Sequence, residues 1–76
     1  MGYIYITVKT AGKGVMDLKI PDYVTGNEFL DMLSEITGKR LPAQTRIQAE
    51  PVGRILDNAQ TFASEGVETG ALLTFI

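Results

Sequence analysis

The chain has 76 residues, enough for one small domain running over residues 1–76. It contains no cysteine, histidine or tryptophan, which excludes disulfide staples, thiol redox chemistry, cysteine-ligated zinc and mechanisms built on an imidazole base. Hydrophobic residues make up 45% and the net charge is −2, so an unaided apolar core is expected, and nucleic acid and anionic membrane lack the basic footprint they require.

The N-terminus, Met1-Gly2-Tyr3-Ile4-Tyr5-Ile6, has neither a positive region nor a long apolar run, so no secretory signal is expected. Gly2 is followed by Ile6 where a myristoylation signal wants Ser or Thr. From Tyr3 to Lys9 the residues alternate, with Ile4, Ile6 and Val8 on one face and Tyr3, Tyr5 and Thr7 on the other. That pattern predicts a half-buried strand. Ala11-Gly12-Lys13-Gly14 supplies glycines for a reversal. A second alternation follows, with Met16, Leu18 and Ile20 inward and Val15, Asp17 and Lys19 outward, ending at Pro21. The two runs form a hairpin.

Thr25-Gly26-Asn27-Glu28 fits a capping box, with Thr25 as N-cap and Glu28 three residues on. Phe29, Met32, Leu33 and Ile36 then repeat at the period of one helix face, and Leu30 widens the stripe. Gly38 suits the position after the helix, with Lys39 and Arg40 placed to complement its dipole. A helix over Gly26 to Thr37 is predicted. Beyond Leu41-Pro42, Thr45 to Glu50 alternates around Ile47 and Ala49 as a short strand. Pro51-Val52-Gly53 turns the chain into another at Arg54 to Leu56. Phe62 and Val67 are the large apolar residues of the loop that follows and are expected to plug the core. Thr69-Gly70 turns into a last strand, Ala71 to Ile76, far too short an apolar stretch to span a membrane.

The order β-β-α-β-β-loop-β describes an α+β fold of the β-grasp type, a mixed sheet of four to five strands packed on one helix. First and last strands would then lie parallel at the sheet centre, with Ile4, Ile6 and Val8 meeting Leu73 and Phe75 under the helix. This order resembles ubiquitin. Three stretches more closely resemble the small ubiquitin-like proteins of the YukD/EsaB family, found with type VII (WXG100/Esx) secretion systems of Gram-positive bacteria. They are Tyr3-Ile4-Tyr5-Ile6-Thr7-Val8, Asp17-Leu18-Lys19-Ile20-Pro21-Asp22-Tyr23, and Phe62 through Phe75 with its Gly66-Val67-Glu68-Thr69-Gly70 segment. Each is a packing or turn signature, and none is catalytic.

Departures from ubiquitin bear on function. A β-grasp tag or sulfur carrier needs a flexible C-terminal Gly-Gly, whereas this chain reads Leu73-Thr74-Phe75-Ile76 within a strand whose end is expected to be buried. Conjugation and sulfur transfer are therefore not expected. Gln48 falls where ubiquitin places the isoleucine of its receptor-binding patch, so ubiquitin-type readers are not expected to bind.

Other candidates have simpler readings. Gly12-Lys13-Gly14 lacks the spacing of a phosphate loop and precedes a strand, which favours a hairpin turn. Glu28, Asp31 and Glu35 form an acidic helix stripe, read as a solvated face. Arg40, Arg46 and Arg54 are scattered enough to read as solubility charges. The best candidate is the sheet face opposite the helix, where Tyr3, Tyr5 and Thr7 would join Leu72, Thr74 and Ile76 in a contiguous patch. The simpler account of that face is a sheet surface using β-formers, its tyrosines packing across strands.

These readings imply a non-enzymatic interaction module without metal or cofactor, docking through Tyr3, Tyr5, Leu72, Thr74 and Ile76. The family resemblance implies an accessory or regulatory role in type VII secretion, with a component of the secretion machinery as protein partner. Localisation is expected to be cytoplasmic, peripheral at the membrane through that partner and without direct insertion. A free-standing domain that homodimerises through the same patch is the alternative.

Overall fold

The computed structural model describes residues 2–10, 14–38, 41–42 and 44–76. Five strands and one helix follow in the order β1 (Tyr3–Thr10), β2 (Gly14–Pro21), α1 (Gly26–Thr37), β3 (Ile47–Glu50), β4 (Arg54–Ile55) and β5 (Leu72–Phe75). The sheet order is β2-β1-β5-β3-β4. β1 and β5 run parallel, with Thr7 beside Leu72 and Lys9 beside Thr74, and the remaining pairs are antiparallel. This is a mixed sheet under one helix, the β-grasp arrangement. The reversing residues Ala11, Gly12 and Lys13, and the cations Lys39 and Arg40, lie outside the described residues.

Alternation in β1 translates directly into burial: Ile4, Ile6 and Val8 are buried on the helix side, while Tyr3 and Tyr5 are exposed. Leu73 is fully buried beside Val8, and Phe75 packs partly buried against the same core. Along β2 only Ile20 is buried; Met16 and Leu18 are half-buried, because an outer strand has no neighbouring strand on its far side. Phe62 and Val67 plug the core as expected, joined by Leu56, Val24 and Ala71. The Phe62 ring meets Phe29 edge-on, with centroids 5.3 Å apart.

The helix keeps its expected bounds. Thr25 Oγ1 accepts the Glu28 N–H at 3.1 Å, and Glu28 Oε1 accepts the Thr25 N–H at 2.9 Å, which completes the capping box. Gly38 closes the other end at φ 72°, donating its N–H to the Ser34 carbonyl. Gly26 begins the helix without a side chain for a packing reason. A Cβ there would lie 2.9 Å from the Asn58 Cα, where the backbone leaves no room.

Three expectations are corrected. Ile36 is 61% exposed. It lies seven residues after Phe29 and so on the same side of the helix, but buried contact ends one turn earlier, at Leu33. The late strands are shorter than expected: Thr45 and Arg46 precede β3, Leu56 follows β4, and Ala71 and Ile76 flank β5. Ile76 is 57% exposed, so the final side chain is not buried. Its backbone is nonetheless held, exchanging two 3.0 Å hydrogen bonds with Arg46.

Candidate interaction face

Strand register determines which side chains share the sheet face opposite the helix. One row across it reads Asp17, Thr7, Leu72, Glu50 on β2, β1, β5 and β3. The next reads Val15, Lys9, Thr74, Gln48 and Ile55. Toward the start of β1, Tyr5 lies beside Lys19 and Tyr3 beside Pro21. Tyr3 and Tyr5 are about 60% exposed, and the Lys19 ammonium lies 4.9 Å from one ring centroid and 5.9 Å from the other. A cation within about 6 Å of both ring centroids is attracted to the two ring faces. The Tyr5 N–H donates to Thr69 Oγ1 at 3.2 Å, tying this end to the turn before β5.

The five candidate residues do not gather into one spot. Leu72 and Thr74 are half-buried at the sheet centre, between Thr7 and Lys9 on one side and Glu50 and Gln48 on the other. Tyr3 lies six residues before Lys9, and Ile76 two residues after its neighbour Thr74. At the rise of an extended strand, that eight-residue offset separates Tyr3 from Ile76 by about 26 Å. Polar Thr7, bonded through its hydroxyl to the Asp17 carboxylate at 2.7 Å, intervenes between the tyrosines and Leu72. The face therefore has an aromatic and cationic end, a half-buried centre, and Ile76 at the opposite margin.

Arg46 and Arg54 are not general solubility charges, while Arg40 lies outside the described residues. Arg46 donates to the Leu56 carbonyl at 2.9 Å. Arg54 donates to the Glu65 carboxylate at 2.9 Å and to the Glu65 carbonyl at 2.8 Å, and the same carboxylate oxygen accepts the Asp57 N–H at 2.7 Å. The Arg54 hydrogen bond, followed by that from Asp57, holds the Glu65 carboxyl below its ordinary value of 4.5. Both guanidinium groups brace the segment after β4. Sequence reasoning missed this bracing, since no local pattern links Arg54 to a residue eleven positions later.

In the acidic helix stripe, Glu28 serves the capping box, while Asp31 and Glu35 are exposed. Asp31 and Glu35 line a shallow groove with Leu30, Leu41 and Pro42. Among the described residues, no group of three or more His, Cys, Asp or Glu is placed to hold a metal ion. Among the same described residues, no helix is long and apolar enough to cross a membrane.

Residues 3–75 match the model of the WXG100 protein secretion system protein YukD. The chain belongs to the YukD family. Solved structures place this YukD-family chain among ubiquitin-like folds. A chain from a structure described as molecular mimicry of SUMO in DNA repair superimposes with a TM-score of 0.82 at 14% identity, covering 100% of this chain and 92% of the other. The ubiquitin-like domain of an Arabidopsis thaliana protein gives 0.79 at 15% identity, with 100% and 78% covered. Ubiquitin of Caldiarchaeum subterraneum gives 0.76 at 23% identity, with 99% and 92% covered. No match was found among curated protein sequences. The structural likenesses establish the fold; the family model ties it to WXG100 secretion.

Proposed function

We propose that this YukD-family protein is a non-conjugated, non-enzymatic interaction module of a type VII secretion system. It acts by docking the sheet face opposite its helix onto a protein component of the secretion machinery, at the cytoplasmic side of the membrane. The observation that carries the reading is the pair of exposed tyrosines, Tyr3 and Tyr5, on one face of β1 with the Lys19 ammonium over both rings. Tyrosines placed in this way offer large contact area, which is the character of an interface anchor. Leu72 and Thr74 extend the contact across the sheet centre, and Ile76 forms its margin. The alternative use of tyrosine as a β-former packing across strands explains the residue type but not why each residue stays about 60% exposed.

Pull-down from cytosolic and membrane fractions, with bound proteins identified, tests the reading. The wild-type protein is expected to recover secretion-machinery components, and a Tyr3→Ser/Tyr5→Ser variant to lose about tenfold or more of that recovery. Equal recovery by both proteins would remove the tyrosine face from the mechanism. Recovery by neither would overturn the secretion role.

A further inference from the structure

The long outer edge of the sheet is complementary to itself. β2 spans eight residues, Gly14–Pro21, and occupies the outer position next to β1. The Thr7 N–H donates to the Ala71 carbonyl, and the Gly70 N–H to the Tyr5 carbonyl, so odd-numbered residues of β1 direct their main chain toward β5. Even-numbered residues face β2, as the bond from the Asp22 N–H to the Gly2 carbonyl also requires. By the alternation of an antiparallel ladder, Val15, Asp17 and Lys19 turn their N–H and C=O groups to the outer edge, where no described strand pairs with them, and Pro21 adds a carbonyl there.

We propose that two copies of this chain pair antiparallel along β2, about a twofold axis through Leu18, to form one continuous ten-stranded sheet. In that register Asp17 lies opposite the partner's Lys19, and Lys19 opposite the partner's Asp17. Val15 meets the partner's Pro21. On the helix side Leu18 meets the partner's Leu18 in a non-hydrogen-bonded pair, where side chains approach most closely. Met16 meets the partner's Ile20. Every opposed pair is thus apolar with apolar or acid with base. The half-buried Met16 and Leu18, which α1 and the strands leave partly open, gain cover.

Neighbouring registers fail on charge. Shifting by two residues one way sets Asp17 against the partner's Asp17, and shifting the other way sets Lys19 against the partner's Lys19. Like charges directly opposed on paired strands are destabilising. Charged side chains on an edge strand ordinarily discourage indiscriminate pairing; the order Asp17-Leu18-Lys19 instead admits a second copy in one register. Pro21 has no N–H to offer and limits the ladder at that end. The pairing forms about six main-chain hydrogen bonds. Its small contact area makes it a weak dimer, assembling between about 10 µM and 1 mM.

Sedimentation equilibrium over that range, with amide exchange followed by NMR, tests the proposal. Wild type is expected to dimerise, with the amides of Val15, Asp17 and Lys19 slowing as concentration rises. Asp17→Lys and Lys19→Asp each set like charges opposite one another twice and are expected to weaken dimerisation about tenfold or more. The double variant Asp17→Lys/Lys19→Asp restores opposite pairing and is expected to recover the dimer, with far-UV circular dichroism confirming that each variant folds. A monomer at 1 mM would overturn the proposal. So would a dimer that is indifferent to the single reversals, or one lost in the Tyr3→Ser/Tyr5→Ser variant while the edge amides exchange at a concentration-independent rate.

Discussion

Glu65 shows how much one side chain can organise in a segment without regular structure. Its carboxylate accepts from Arg54 and from the Asp57 main chain, while its own carbonyl accepts a second bond from Arg54. Those donors favour the charged form and lower its pKa in the folded state from the ordinary 4.5. A carboxyl with a depressed folded value stabilises the protein fully above its unfolded value, and that contribution fades as pH falls through the folded one. Glu65→Gln is therefore expected to lower the urea midpoint at pH 7. The gap from wild type should close as pH is taken below the folded value, under 4.5. Urea titrations at several pH values check this; a gap independent of pH would show that charge contributes nothing to the brace. Because Glu65 is near the surface, the effect at neutral pH is a modest one. Nothing in the sequence pairs Arg54 with Glu65, since their meeting depends on a path of the chain that no periodicity encodes.

At the scale of elements, legibility follows how local the determinants are. The helix was readable from Thr25 to Gly38 because its cap, stripe and stop all lie within a few residues of one another. The hairpin was readable for the same reason, through two clean alternations. Depth of burial was less readable. Periodicity gives the angle of Ile36 on the helix, but not how far along the axis the core extends beneath it. The consequence is measurable. Leu33→Ala is expected to cost about 2–5 kcal/mol, since Leu33 is buried and packed. Ile36→Ala is expected to change stability by less than about 0.5 kcal/mol, as surface substitutions do. Denaturant unfolding of the two variants distinguishes them; equal losses would mean that the last turn is packed after all. β3 and β4 are shorter than the alternation suggests, because a strand's ends are set by its pairing, with β5 for β3 and with β3 for β4, and not by its own sequence. The candidate face is legible from alternation in β1, while the spread of its members from Tyr3 to Ile76 follows only from the parallel register.

At the scale of the whole molecule, the residues between β4 and β5 belong to the core as fully as any strand. Leu56, Phe62, Val67 and Ala71 are all buried, and Phe62 makes the edge-on contact that fixes the helix through Phe29. The same segment is bonded along its length to the start of the helix and the turn before it: Phe62 N–H to the Val24 carbonyl, Ala63 N–H to that of Asp22, Gly26 N–H to that of Gln60 and Asn27 N–H to that of Asn58. A surface loop would unfold locally and leave the sheet intact, but this segment closes one side of the shared core. Phe62→Ala is expected to cost about 3–5 kcal/mol. A chain of this length has a total stability of about 4–11 kcal/mol, so the variant should be near its unfolding midpoint or well below wild type in urea. Two-dimensional amide spectra across a urea titration distinguish the alternatives. Cooperative loss predicts that resonances of β1, α1 and residues 57–71 disappear together, at one lowered midpoint. Loss confined to residues 57–71, with β1 and α1 unchanged, would show that the segment is an appendage and that the sheet and helix alone hold the fold.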